Sequence, residues 1–340
     1  MINMLNDYSE GCHPRILEAL QRTNLESTVG YGRDEHCKAA AERIREVADC
    51  PQAAVHFMVG GTSANVTAIA AFLRPHEAPV SAASGHINTH ETGAVEATGH
   101  KIIACNAPDG KLTPALIEEA AAPYADEHMV KPRLVYISQS TELGTVYSRE
   151  ELSALSAYCH RHGLLLYLDG ARLACGLVAS GMSFSDVAKL CDAFYIGGTK
   201  NGALLGEAMV IVNPELQPEF RWYMKRQGGM LAKGRLLGIQ FEELLRDDLY
   251  MELGRHSNAM AQKLQSGLIE LGVPLLLNSP TNQIFPVVPD TWLSLLDEAC
   301  RYERWGKTDE NHMAIRFVCS WATRESDVEQ LLDTIRQIQT

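Results

Sequence analysis

The chain has 340 residues, 46% of them apolar and 21% charged, with a net charge of −12. That length suits a large core and two domains, while the acidic balance argues against a nucleic-acid or anionic-membrane surface. Nine scattered cysteines, none in a CxxC pair, are expected to be free thiols of a reducing cytoplasm rather than disulfides or zinc ligands. Met1 to Tyr8 carry no basic segment followed by an apolar run, so no signal peptide is expected. No uncharged apolar run reaches the ~18 residues needed to span a bilayer.

Residues 1–35 read as irregular, with Gly11, Pro14 and Gly30-Tyr31-Gly32 and one short helix near Ile16–Gln21. A helix follows from His36 to Ala48. Val55–Val59 reads as a buried strand, and Gly60-Gly61-Thr62-Ser63 opens an apolar helix, Val66–Leu73. Strands are expected at Ala78–Ala82, Lys101–Ala104, Leu134–Ser138, Leu164–Leu168 and Ala193–Ile196, with helices such as Thr113–Ala121 and Ser148–His162 between them. This alternation predicts an α/β fold, a mostly parallel sheet covered by helices on both faces. Ala208–Val212 is a last core strand. A long helix, Leu231–Leu253, then leads out of the core and continues after Gly254 as His256–Leu271. The remainder carries short strands at Ile284–Val288 and Ala314–Val318 and a final helix, Ser326–Ile338. A large domain is therefore expected over residues 1–250 and a small C-terminal α+β domain over residues 251–340.

Two strand ends carry the most chemical information. The apolar run Leu164–Leu168 ends on Asp169, and the next strand leads into Gly197-Gly198-Thr199-Lys200. Side chains at the ends of such strands converge on one crevice. An acid that can hold a proton on a pyridine nitrogen and a lysine that can form an imine are the minimum equipment for pyridoxal phosphate chemistry. The glycines at 197, 198 and 202 would let the backbone pass close to a flat ligand. Taken singly, a surface-loop lysine and a turn-capping aspartate would explain either motif.

Other residues add to the pair. Gly61-Thr62 at a strand-to-helix turn is a phosphate cradle in principle, and also an ordinary N-cap. His86, in Ser84-Gly85-His86-Ile87-Asn88-Thr89-His90-Glu91, could stack on a ring and handle a proton, or could bond only to backbone. His90 and Glu91 lack a third ligand nearby, so no metal site is expected. Arg172, three residues past Asp169, can present a guanidinium fork to a carboxylate or a ring oxygen. Arg316 sits inside the apolar strand Met313–Val318, where it needs a partner. Either a substrate carboxylate or an internal acid would serve.

In this order and spacing, Asn6-Asp7, Gly61-Thr62-x-x-Asn65, His86 to Glu91, Leu168-Asp169-Gly170-Ala171-Arg172 and Thr199-Lys200 resemble the threonine aldolase family, the β-eliminating lyase group of fold-type I pyridoxal phosphate enzymes, over nearly the whole chain. The resemblance implies an aspartate aminotransferase-like large domain with a small C-terminal domain. It implies that Lys200 forms the imine with pyridoxal 5'-phosphate, Asp169 pairs with the pyridine nitrogen, and His86 stacks on the ring. Gly61, Thr62 and Thr199 would lie on the cofactor, while Arg172, Arg316 and Asn6 would meet the substrate carboxylate. Tyr31 would be offered to a neighbouring subunit of a homo-oligomer, a dimer of dimers.

Two departures stand out. Glu142 occupies the place of a histidine that contacts the substrate hydroxyl, so Glu142 or His86 is the expected base. The family's Gly-Gly-Met-Arg run reads Gly228-Gly229-Met230-Leu231, which leaves Lys233 or Arg235 to supply the phosphate-binding cation. The implied activity is retro-aldol cleavage of L-threonine or L-allo-threonine. A β-elimination, cleavage of a bulkier β-hydroxy amino acid and a non-catalytic binding role are the alternatives.

Overall fold

The computed structural model describes residues 1–339; Thr340, the last residue of the expected C-terminal domain, lies outside the described residues. The chain begins with β1 (Ile2–Asn3), α1 (Pro14–Arg22), α2 (Glu35–Val47), β2 (Ala54–Met58), α3 (Gly61–Phe72), β3 (Glu77–Ala82), α4 (His86–Thr89) and β4 (Ile103–Cys105). It continues with α5 (Pro114–Ala121), β5 (Lys131–Ser138), α6 (Arg149–Arg161), β6 (Leu165–Asp169), α7 (Leu173–Ser180), α8 (Phe184–Leu190), β7 (Ala193–Gly197) and β8 (Glu207–Ile211). Then come α9 (Phe220–Arg226), α10 (Arg235–Leu244), α11 (Leu249–Glu270), β9 (Gln283–Ile284), β10 (Val287–Pro289), α12 (Leu293–Ala299), β11 (Cys300–Arg301), β12 (Glu303–Lys307), β13 (His312–Val318) and α13 (Glu325–Ile338).

Local chemistry sets many of these boundaries. Asp34 and Thr113 accept the first free N–H groups of α2 and α5, and Ser148 with Glu151 forms a reciprocal cap on α6. Strands β6 and β7 are buried at every residue, as expected of strands covered on both faces.

Seven strands form the main sheet in the order β2-β8-β7-β6-β5-β3-β4. Only β8 runs antiparallel to its neighbours. Alternate residues feed two cores: Val135, Ile137, Leu166, Leu168, Phe194 and Ile196 on one face, Leu134, Tyr136, Leu165, Tyr167 and Tyr195 on the other.

A third core unites Leu264 and Leu268 of α11 with Ile284, Ile315, Phe317, Leu331 and Ile335. Ile2 and Met4 join it, and β1 pairs in parallel with β11. Helix α11 enters two cores, with Leu249, Tyr250 and Leu253 in the first. The boundary expected between residues 250 and 251 thus falls inside one helix.

Three elements depart from expectation. The helix expected over Leu231–Leu253 starts only at Arg235 and breaks after Leu244, because Asp247 and Asp248 adopt left-handed backbone (φ 55° and 63°). The break expected at Gly254 is instead continuous helix. A Cβ there would lie 2.8 Å from Ala174 Cβ, so the glycine serves close packing of α11 on α7. The strand expected over Ile284–Val288 is split into β9 and β10, with Phe285 and Pro286 between them; Pro286 has no N–H to give a ladder. No single helix among the described residues is long and apolar enough to cross a membrane. All nine cysteines are free.

Candidate active site

The site forms where the C-terminal ends of β5, β6 and β7 meet the start of β8. Ser138 stands in register with Asp169, and Gly197 with Glu207. One sheet edge therefore gathers side chains from four strands, the usual place for a ligand in such a sheet. Two cavities adjoin there. The inner one, about 310 Å³, is lined by Gly61, Thr62, Asp169, Tyr195, Thr199 and Lys200 among others. The outer one, about 460 Å³, is lined by Leu5, Asn6, Tyr8, His90, Glu303 and Arg316. His86, Glu142, Arg172, Tyr8 and Lys200 face both.

Asp169 is buried and accepts four hydrogen bonds. Tyr195 and the Ala171 N–H reach Oδ1, while Tyr136 (2.5 Å) and Asn65 (3.0 Å) reach Oδ2. Burial pushes its carboxyl up, but the His86 charge and the three side-chain donors outweigh this and hold it below the ordinary carboxylate value. Both tyrosines are pushed far up by burial and by Asp169, so they remain donors. Lys200 is shifted the other way. Burial, then the Arg172 charge, pull its ammonium below the ordinary lysine value, which favours the neutral amine that attacks a carbonyl.

His86 is fixed by a carboxylate. Its Nδ1 pairs with Glu91 Oε1 at 2.8 Å, and Glu91 also accepts from Asn65 at 2.8 Å. The chain His86–Glu91–Asn65–Asp169 thus runs through the buried floor. A carboxylate at Glu91 can only accept, so Nδ1 is the donor of this pair. Glu142 Oε1 accepts from the His86 N–H (3.0 Å) and from Ser138 Oγ (2.8 Å). Burial, then Asp169, push the Glu142 carboxyl up, which brings a carboxylate base nearer to neutral pH.

The two arginines have partners of their own. Arg172 donates to both oxygens of buried Asp7, at 2.7 and 3.1 Å, a bidentate pair that spends part of the fork expected to meet a ligand. Arg316 pairs with Glu303 on the adjacent strand and with Gln283 Oε1 (3.2 Å), and it lies over the Trp305 ring. Arg316 therefore has an internal acid, and it also lines the outer cavity. Its Nε is buried without a hydrogen-bond partner, a donor open to a further acceptor.

Comparison with known proteins agrees with this geometry. The profile of the family described as beta-eliminating lyase matches residues 4–291. The chain belongs to that family. Within it, the chain is 33% identical to a low specificity L-threonine aldolase of a Pseudomonas strain, over 98% of this chain and 96% of that protein. A solved Leishmania major threonine aldolase is 45% identical and superposes with a TM-score of 0.98, covering 99% of this chain and all of the other. A Thermus thermophilus aspartate aminotransferase, 15% identical, shares the fold with a TM-score of 0.73 over 99% of this chain and 96% of its own.

The residues present fit the pyridoxal phosphate that beta-eliminating lyases of this fold imply. Helix α3 starts at Gly61 with no side-chain cap, and a Cβ at Gly60 would meet only open space, so the helix end has N–H groups available to an anion. Ser140, which also lines the inner cavity, has a buried hydroxyl with no partner.

Three expected site residues do not reach Lys200 in their own chain. Arg235 donates to the Thr23 and Asn24 carbonyls (2.6 and 3.0 Å), and Lys233 is exposed. Tyr31 is exposed, with left-handed backbone (φ 61°) and Lys225 over its ring. Gly197, the last residue of β7, also acts differently from expectation. A Cβ at Gly197 would lie 2.5 Å from the Ala171 carbonyl, so this glycine lets two strand ends touch each other rather than a ligand.

Sequence reasoning missed Tyr136, Tyr195 and Glu207 as site components, and it placed Asp7 and Glu91 within the family motifs without giving either a role at the site. Tyr136 and Tyr195 fall among apolar strand residues and look like core. Asp7 beside Asn6 carried a faint signal, an acid in an otherwise irregular leader.

Proposed function

We propose that this protein binds pyridoxal 5'-phosphate at Lys200 and cleaves the Cα–Cβ bond of a β-hydroxy-α-amino acid, L-threonine or L-allo-threonine, to glycine and acetaldehyde. The observation that carries this reading is the convergence of a Lys200 amine tuned toward neutrality, the Asp169 carboxylate and the Arg316 guanidinium on two adjoining cavities. Names of the relatives at 33% and 45% identity support it.

When bound, the cofactor supplies an electron sink for the charge left on Cα. The protein's own residues do the rest. Lys200 offers the amine that bonds the cofactor. Asp169, kept ionised by its donors, holds a proton on the ring nitrogen. Gly61 and Thr62, with the free end of α3, bind the phosphate. His86, fixed by Glu91, would hold the ring. Arg316 takes the substrate carboxylate on its open Nε and in exchange for Glu303. Arg172, braced by Asp7, adds positive charge, and Asn6 completes the mouth. Glu142 accepts the proton of the β-hydroxyl.

We also infer a homo-oligomer, a dimer of dimers, in the cytoplasm. Tyr31 and Lys233 are exposed and lie away from Lys200 in their own chain, which leaves them available to another subunit's site, whereas Arg235 is held by the Thr23 and Asn24 carbonyls. The exposed apolar side chains of Leu25, Val29 and Trp222 support a covered face, and nine free thiols suit a reducing compartment. Light scattering on the eluting protein tests the assembly: four chains are expected, and a monomer at micromolar concentration contradicts it.

Borohydride reduction of the pure yellow protein, followed by peptide mass mapping, tests the cofactor site. The cofactor mass should be fixed on Lys200 alone. Attachment elsewhere, or an unchanged visible band in Lys200→Ala, would overturn the assignment.

A further inference from the structure

Glu207 opens β8, in register with Gly197 of β7 and Met58 of β2. Its carboxyl is buried and lines the inner cavity with Lys200 and Asp169. Oε2 accepts the Gly198 N–H at 2.8 Å, and Oε1 accepts the Thr199 hydroxyl at 2.9 Å. Thr199 Oγ1 in turn accepts the Gly206 N–H at 2.9 Å. Both oxygens thus grip the two residues that precede Lys200, and both donors are neutral.

A buried carboxylate served only by neutral donors is costly unless a cation faces it. The titratable groups that face Glu207 are Lys200 on the same turn, Asp169 and Tyr167 on β6, Tyr195 on β7 and Tyr250 on α11. The tyrosines are pushed far above their ordinary value, chiefly by burial, and stay neutral. Lys200 is the one cation of the set. Burial pushes the Glu207 carboxyl up to about 7, against the pull of its two donors and of Lys200. Glu207 in turn is one of the anions that resist the loss of charge at Lys200.

We propose that Glu207 is a positioning residue for Lys200: its carboxylate anchors the Gly198-Thr199 turn and balances the positive charge on the lysine nitrogen, and it takes up a proton from solvent when that charge is lost. The role rests on the reading of Lys200 as the amine that bonds the cofactor. Arg172, Asp7 and Asp169 also face Lys200, but Asp7 is paired with Arg172 and Asn282 and Asp169 is held by donors of its own, whereas the Glu207 carboxylate grips the turn that carries the lysine.

The test is a pH titration of the visible absorption band in cofactor-loaded, full-length protein, which follows the proton on the Lys200 nitrogen independently of turnover. Removing a nearby anion makes that nitrogen more acidic. In Glu207→Gln the midpoint should therefore move to lower pH by about one unit, a tenfold change in proton affinity. Glu207→Asp keeps the charge and should hold the midpoint near the wild-type value. Coincident midpoints for wild type and Glu207→Gln, with a normal band and normal aldehyde release, would overturn this role and leave the proposed function standing. Absence of a lysine-bound band in the wild type would overturn both. Should the glutamine variant not fold, infrared titration of Lys200→Ala against wild type asks the reciprocal question. The protonated-carboxyl stretch should persist to a pH about one unit higher without the lysine, and an unchanged midpoint would overturn the pairing.

Discussion

At the floor of the crevice, Asp169 draws donors from β5, β7 and α3 and from the turn that follows it. At the mouth, Arg316 holds one acid on the next strand, one amide and a ring face, and keeps a buried Nε unpartnered. Both Asp169 oxygens are engaged, which fixes charge at the floor, while Glu91 Oε2 and the Ser140 hydroxyl beside it lack partners. The mouth is left short of acceptors and can exchange them. This difference separates the two tasks of the site: the floor sets the electronic character of whatever Lys200 holds, and the mouth decides which carboxylate enters. A buried carboxylate with both oxygens hydrogen-bonded is held rigid, whereas an unsatisfied donor favours a ligand that completes it.

Substitutions can sharpen this contrast. Glu142 joins the two regions and should give the largest effect short of Lys200 itself. Loss of a general base costs about 10²–10⁴-fold, so Glu142→Gln should lower kcat by that order with little change in KM. The sign of the pH dependence follows from the raised carboxyl. A base works only when ionised, so wild-type kcat should fall as pH drops through that raised value, and the glutamine variant should lack this limb. An unchanged acid limb would move the base to His86.

At the mouth the effects should fall on KM. A hydrogen bond to a charged group contributes about 1.5–3 kcal/mol, so Arg316→Ala should raise KM roughly 10- to 100-fold, with the visible band intact. Glu303→Gln weakens the competing partner and should lower KM a few-fold. A rise in KM for Glu303→Gln would show that Glu303 supports the arginine's pose instead of occupying its place.

The smallest catalytic effect is expected far from both regions. Gly254→Ala forces a Cβ against Ala174, and overpacking of this kind costs about 1–3 kcal/mol. Its melting temperature should drop while KM stays at the wild-type value. A changed KM would mean that the α7–α11 contact reaches the Arg172 end of the site.

How much of this was legible in the sequence divides between the reacting residues and their supports. Asp169 and Lys200 could be read because strand ends announce themselves: an apolar run stops on a charged residue, and the parallel sheet brings such stops together. The supports could not. Asp7 meets Arg172 across 165 positions, and Asn65 meets Asp169 across 104. No local pattern encodes a contact of that range. Tyr136 and Tyr195 alternate with aliphatic residues and look like core until their hydroxyls are located. The helix break at Asp247-Asp248 was hidden because two left-handed aspartates leave the apolar periodicity on either side intact. Gly254 misled for the opposite reason, since its absent side chain serves a helix contact and not a turn.

Product analysis on L-threonine and L-allo-threonine tests the central claim most directly, with wild type and Lys200→Ala run side by side. The account predicts equimolar glycine and acetaldehyde from the wild type and only background from the variant. A keto acid with ammonia in their place would keep the fold and the lysine but contradict Cα–Cβ cleavage.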